Sequence, residues 1–385
     1  MSEAPSQDVS PEAAVAADFL GGQKLEDGIG LCLSGGGFRA MLFHLGAFVR
    51  MNELGLLAKL DRVASVSGGS LAAGALAVAW DQLTFDQNGI VTNLTERVAE
   101  PILALSRKYI DIPAIALGFL PFVHASDVAA LAYDYWLFRG KTLQDLPQRP
   151  RFSFTATSLQ SGVLWRFARD YAADYRVGMW RNPTLRIAPV VAASASFPPY
   201  LSPTYIDVPP RALKPENGSD LHCEPYTTQL CLTDGGVYDN LGLEPVWKRY
   251  KTILVSDGGS ITPPSISPRS NWLSQAMRAS SIALQQGVNM RRRVLFGLER
   301  TGERRIAYWG IGEPIASYGA GNELGFTAEQ AKHAAEVATR LTRYPDDVRL
   351  NIMRAGYAHA DAALRTSRIP LPDSRPDFSG LPAVR

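Results

Sequence analysis

The sequence predicts an α/β protein, a sheet covered on both faces by helices. Strand-like and helix-like runs alternate along the chain. Twice, an apolar run breaks through a small-residue turn straight into a helical pattern. Ile29–Leu33 leads into Ser34-Gly35-Gly36-Gly37, and Leu60–Val66 leads into Ser67-Gly68-Gly69. With 385 residues, 46% hydrophobic and 20% charged, the chain can bury one large core or two smaller ones.

A formal net charge of +2, evenly spread, excludes a nucleic-acid surface. Cys32, Cys223 and Cys231 show no Cys-x-x-Cys spacing, so neither zinc nor a disulfide framework is expected, although Cys223 and Cys231 are close enough to pair across a short loop. The start, Met1 to Asp8, carries acidic residues where a signal peptide needs basic ones. The longest apolar run, Ile110 to Val123, is interrupted by Asp111, two prolines and Gly118. It falls short of the roughly 20 apolar residues of a membrane-spanning helix. A cytoplasmic protein is expected.

In chain order, residues 1–25 have little periodicity and read as a flexible arm. The first strand opens through glycines into the helical pattern Met41–Phe48. Consecutive glycines at a helix start leave N–H groups free to face an anion, and Arg39 adds a positive charge beside them. Gly35-x-Gly37-x-x-Ala40 also fits a dinucleotide fingerprint, which needs an acid at the far end of the next strand. That strand ends at Ser67-Gly68-Gly69, and its acid, Asp61, stands at its start. The competing reading makes Gly36 and Gly37 the backbone donors of an oxyanion hole, each worth about 3–4 kcal/mol.

The second strand presents Ser67 at a strand-to-helix corner, where a hydroxyl is exposed beside the free N–H groups of a helix start. Gly69, two residues on, suits a turn whose flanking chains leave no room for a Cβ. Ser65 lacks a glycine at that position, so Ser67 is the candidate nucleophile. Ser70–Trp80 follows as a small-residue helix. Residues 84–147 form a helical and irregular insertion rich in apolar residues, either a layer of the core or a lid whose aromatic residues meet lipid.

Arg151–Thr157 and Val163–Phe167 read as strands joined by a turn, and Pro189–Tyr200 as a small-residue helix stopped by two prolines. Asp234 stands at the next strand end, released by Gly235 and Gly236 into Val237-Tyr238-Asp239-Asn240-Leu241-Gly242. Asp257-Gly258-Gly259 repeats the pattern but leads into a Pro/Ser stretch, so Asp234 is preferred. None of the five histidines occupies a comparable loop. Asp234 is therefore expected to act directly as base, its pKa raised in a water-poor site.

Beyond residue 262, Trp272–Gln286 reads as a helix, Arg304–Trp309 as a strand, and 327–342 and 346–366 as alanine-rich amphipathic helices. The cluster Arg291-Arg292-Arg293 reads as a solvated helix face, or as a contact for anionic headgroups. The expected organisation is a catalytic domain over 26–262, a helical extension over 263–368 packed on it, and an extended tail over 369–385.

Taken together, Gly35-Gly36-Gly37-Phe38-Arg39, Ser65-Val66-Ser67-Gly68-Gly69, Ala193–Pro199 and Asp234-Gly235-Gly236-Val237-Tyr238-Asp239-Asn240 resemble the patatin-like phospholipase family, related to cytosolic phospholipase A2. Ala40 and Ser65 stand where the family usually has glycine. The resemblance implies a three-layer α/β/α fold with a mostly parallel central sheet and added helices. It also implies a Ser67–Asp234 dyad, and an oxyanion hole in the loop Gly35, Gly36 and Gly37. Arg39 and Gly68 are expected beside the substrate, with no metal or cofactor.

The expected activity is hydrolysis of a lipid or phospholipid ester, with peripheral contact at a membrane and no nucleic-acid partner. A lipid-binding or scaffolding protein with a decayed hydrolase site is the alternative, and a dehydrogenase the third reading.

Overall fold

A computed structural model describes residues 25–259, 262–321 and 324–384; the arm predicted for residues 1–25 lies outside them but for residue 25. The first half of the described chain runs β1 (Glu26–Leu33), α1 (Gly37–Glu53), β2 (Arg62–Val66) and α2 (Gly68–Ala79). The insertion adds α3 (Glu100–Ser106), α4 (Asp111–Leu117) and α5 (Ala125–Tyr133). There follow β3 (Arg151–Ser158), β4 (Leu164–Ala168), β5 (Tyr171–Asp174), β6 (Gly178–Arg181), α6 (Ile187–Ser194), β7 (Thr204–Asp207), β8 (Leu213–Lys214) and β9 (Gln229–Asp234). The chain closes with α7 (Gly236–Asp239), β10 (Tyr250–Asp257), α8 (Trp272–Arg300), β11 (Arg305–Gly310), α9 (Ala328–Glu336) and α10 (Asp346–Thr366).

The sheet runs β11-β10-β1-β2-β3-β4-β5-β6-β8, with β9 on β3 and β7 on β9. From β11 through β3 every pairing is parallel. Strands covered on both faces are mostly apolar, and β2 is buried throughout, with Arg62 and Ser65 its polar members. Alternation sends successive side chains to opposite faces. Leu31, Leu33, Val63, Leu254, Ala307 and Trp309 pack into the core beneath α1, α2 and α10. Cys32, Ala64, Ile253, Val255, Ile306 and Tyr308 face the other way, onto residues 241–250 and onto Val288 and Leu295 of α8. Those two cores make the three layers. Beyond β3 the sheet continues antiparallel.

Arg291 and Arg292 fasten α8 to the rest of the fold rather than forming a solvated face. Arg291 Nε reaches Asp239 Oδ1 at 3.2 Å, and Arg292 pairs with Glu313 while lying over the Tyr308 ring. Helices α1 and α10 cross at glycines: a Cβ on Gly356 would stand 1.8 Å from the Phe43 carbonyl oxygen, and one on Gly46 1.9 Å from that of Met353. Gly356→Ala is therefore expected to lower stability by about 2 kcal/mol or more, read as the denaturant midpoint. An unchanged midpoint would contradict so close a crossing.

The helix predicted over 327–342 stops at Glu336. Carbonyls beyond it accept from other parts of the chain instead: Val337 from Arg39, Ala338 from Tyr344, Arg340 from Phe38 and Leu341 from Ile110. Tertiary partners thus replace the helical ladder. The three cysteines are free thiols, so Cys223 and Cys231 do not pair.

Candidate active site

The site forms where two strands end against the same edge of a third. β2 runs parallel to β3 and finishes with Val66 opposite Thr155. β9 runs antiparallel to β3 and places Asp234 opposite Ala156, the next residue. The other edge of β3 belongs to β4, which pairs with Thr155 and Thr157 as well. β2 and β9 therefore approach head to head, and their C-terminal residues, Ser67 just past one and Asp234 at the end of the other, meet.

Ser67 has φ 52° and ψ −122°, a left-handed conformation uncommon for a residue with a side chain, and caps the start of α2. Its N–H donates to Ser194 Oγ at 3.0 Å, and its carbonyl accepts from Ser70 N at 2.8 Å. Behind it a buried chain of hydroxyls links Ser194, Ser70 and Ser65 at 2.8 and 3.1 Å. The turn is tight, as Gly69 requires: a Cβ there would lie 2.5 Å from the Leu33 carbonyl oxygen. A Cβ on Gly68 would lie 2.1 Å from that of Gly37, which locks the two turns together.

Asp234 is buried and its backbone is held on both sides. Its N–H donates to the Ser196 carbonyl at 3.1 Å, and its carbonyl accepts from Thr157 Oγ1 at 2.9 Å. Oδ1 accepts the Gly236 N–H at 2.7 Å, whereas Oδ2 is buried without a formed hydrogen bond. Burial pushes the carboxyl up to about 6; the Gly236 N–H and the neighbouring Ser67 hydroxyl pull it the other way. Asp257 differs: two strands away on β10, it accepts from Tyr308 OH at 2.6 Å and from Gly259 N at 2.9 Å, so both its oxygens are engaged.

The glycine loop divides in a way its sequence does not reveal. Among the described residues the Gly36 and Gly37 amides have no hydrogen-bond acceptor, while the Gly35 N–H donates to the Asn240 carbonyl at 3.1 Å. Gly35 is therefore not an oxyanion donor. It keeps space: a Cβ would fall 2.3 Å from Asn240 Oδ1 and 3.1 Å from Ser67 Cβ. Gly36 and Gly37, at φ 141° and 60°, take conformations that favour glycine.

Arg39, expected at the substrate, is a buried clamp. Its Nε and Nη2 donate to the Gly258 carbonyl at 3.2 and 3.0 Å, and Nη1 to that of Val337 at 2.6 Å. A guanidinium sharing its protons among carbonyls in the interior is not available to a phosphate. Gly68 keeps its place beside Ser67, its amide at the start of α2.

His44 is a core residue, Nδ1 against Ser256 Oγ at 2.7 Å and Nε2 against the Ser34 carbonyl at 2.9 Å, and burial lowers it to about 4. Among the described residues no histidine hydrogen-bonds to Ser67 or Asp234. Two site residues escape a reading of the sequence: Ser194, which takes the Ser67 amide, and Asn240, which braces both glycine turns. Their signal was the pair of long specific stretches that contain them, Ala193–Pro199 and Val237–Gly242.

The arrangement offers a hydroxyl to attack a carbonyl carbon, a buried carboxylate with one uncommitted oxygen to take its proton and two free amides for the carbonyl oxygen, the minimum set for acyl transfer. A family model described as patatin-like phospholipase matches residues 31–247. No curated protein matches the chain. Among solved structures, human GIVD cytosolic phospholipase A2 is similar at 13% identity with a TM-score of 0.50, covering 92% of this chain and 65% of that one. VipD from Legionella pneumophila is similar at 15% identity, covering 89% and 68%, with a TM-score of 0.38. The chain thus spans about two thirds of the length of each of these relatives, and the likeness to the human protein is one of fold.

Proposed function

Since the chain belongs to the patatin-like phospholipase family, we propose that it is a lipid acyl hydrolase of the phospholipase A or lysophospholipase type. The reading rests above all on one observation: β2 and β9 end against each other, setting Ser67 beside a buried Asp234 whose Oδ2 is uncommitted. Ser67 Oγ attacks the acyl carbonyl while Asp234 takes its proton. The Gly36 and Gly37 amides receive the oxyanion, each lowering the barrier by about 3–4 kcal/mol. Asp234 returns the proton to the departing alcohol, leaving an acyl-enzyme. It then deprotonates a water that releases the fatty acid and restores Ser67.

The same reading gives the insertion a partner. Ile112, Leu117, Phe119, Leu120 and Phe122 are exposed on α4 and the turn after it, and no charged residue occurs between Ile112 and Val123. Phe122 stands clear of the surface at φ 65°. An exposed apolar tip of this kind suits contact with a lipid surface. No helix among the described residues is long and apolar enough to cross a membrane. Peripheral contact with a membrane surface is the partner that this exposed tip suits.

Turnover of p-nitrophenyl esters of increasing acyl length, followed by phospholipid vesicles, tests the reading. Release is expected to rise with chain length and to be higher on vesicles than on monomeric lipid. Binding of vesicles without release of any acid would favour the lipid-binding alternative.

A further inference from the structure

Residues 337–345, between α9 and α10, have no regular secondary structure, yet their backbone is held along most of its length. Val337 O accepts from Arg39 Nη1 at 2.6 Å, and Ala338 O from Tyr344 OH at 2.6 Å. Arg340 O accepts the Phe38 N–H at 2.9 Å, and Leu341 O accepts the N–H groups of Ile110 and Asp111 at 2.9 and 3.2 Å. The Arg340 side chain anchors the segment on the insertion, Nε to Asp111 Oδ2 at 2.7 Å. Asp111, itself largely buried, begins α4.

This strap lies directly over the glycine loop. A Cβ on Gly37 would stand 2.6 Å from Arg340 O and 3.1 Å from Arg340 N and C, so only glycine fits beneath it. The first N–H groups of a helix have no partner inside the helix. Here the strap consumes one of them, Phe38, and leaves Gly36 and Gly37 free. It also fixes the peptide plane between Gly37 and Phe38, whose carbonyl side is wedged against Gly68. With Gly37 at φ 60°, that plane sets the direction of the preceding one, which carries the Gly37 N–H.

We infer that Arg340, held by Asp111, is a positioning residue for the oxyanion loop. It touches no reacting atom; it decides which amides remain free and where the Gly37 N–H points. The strap lies outside residues 31–247, which the family model matches, so part of the catalytic geometry comes from the C-terminal extension. Through Asp111 the same strap ties the loop to the helix that carries the apolar tip. The inference rests on the proposed role of Gly36 and Gly37.

Arg340→Ala, Arg340→Lys and Asp111→Asn in the full-length protein test it by two readouts. The first, independent of activity, is hydrogen exchange at the Phe38 amide against that of β2. In Arg340→Ala and Asp111→Asn the Phe38 amide is expected to exchange about tenfold faster while β2 is unchanged, and Arg340→Lys to restore most of its protection. The second is turnover of a p-nitrophenyl ester: kcat is expected to fall about tenfold with KM within about twofold, since a slightly misaimed donor costs rate rather than binding. Unchanged Phe38 exchange and kcat, or acceleration that extends equally to β2, would overturn the inference. Should the wild type hydrolyse no ester, the proposed function falls on its own, and the Phe38 exchange still decides whether Arg340 holds the loop.

Discussion

Asp234→Asn is expected to remove ester hydrolysis and to make the protein more stable. The first effect follows from losing the proposed base beside Ser67, and general-base catalysis contributes about 10²–10⁴-fold. The second follows from proton linkage. Burial, the larger cause, holds the folded carboxyl up to about 6, above its value in an unfolded chain, and the Gly236 amide and Ser67 hydroxyl oppose it only in part. A carboxyl raised on folding binds its proton more tightly in the native state. Its contribution to stability is therefore complete below about pH 4 and is lost as pH climbs through about 6.

A rise of roughly two pH units corresponds to about 3 kcal/mol, an upper limit on what the neutral amide regains at pH 8. Denaturant midpoints of wild type and variant are expected to converge near pH 4 and to separate by pH 8, the variant being the more stable. Over the same interval wild-type kcat/KM is expected to rise with an apparent pKa near 6, as the base loses its proton. A variant that is less stable at pH 8, or that keeps wild-type turnover, would contradict both the burial and the role of this carboxylate.

Ser67→Ala and Ser67→Gly are both expected to lose about 10⁴-fold or more of the hydrolysis, because each removes the proposed nucleophile. They are expected to differ in stability. Position 67 has φ 52° and ψ −122°, which alanine tolerates poorly and glycine freely. The glycine variant should exceed the alanine variant by about 1 kcal/mol, the strain that the turn stores to expose the hydroxyl. Equal midpoints for the two would mean that no such strain is held at the corner.

The parts of the site legible in the sequence are those whose physics is local. A strand, a turn and a helix in succession mark Ser67, and the demand for a missing Cβ at Gly69 is met by the Leu33 carbonyl. Both Asp234 and Asp257 precede a glycine pair, and it is the long loop beyond Gly236, against the Pro/Ser stretch beyond Gly259, that distinguishes Asp234. In the structure the distinction lies in Tyr308, whose hydroxyl occupies Asp257. The strands β1 and β2 were equally readable, since a mostly apolar stretch in each, Ile29–Leu33 and Val63–Val66, runs straight into a small-residue turn.

What sequence could not show depends on partners far along the chain. Arg39 beside three glycines looks like an anion ligand until the carbonyls of Gly258 and Val337 are in place around it. Gly35 looks equivalent to its two neighbours until the Asn240 carbonyl takes its amide. The alanine-rich pattern after residue 327 favours helix throughout, but the glycine loop and the insertion claim its last carbonyls, and the helix ends at Glu336. Each of these contacts spans more than 200 residues or joins separate elements, and neither periodicity nor motif spacing carries that information.

The most direct measurement is the site of covalent capture. The wild-type protein would be treated with a fluorophosphonate at pH 8, digested, and the adduct located by peptide mass spectrometry, beside Ser67→Ala and Asp234→Asn. A single adduct on Ser67, absent from Ser67→Ala and formed far more slowly in Asp234→Asn, is the expected result. An adduct on Ser65, Ser70 or another serine, or labelling that persists in Ser67→Ala, would contradict the Ser67–Asp234 dyad.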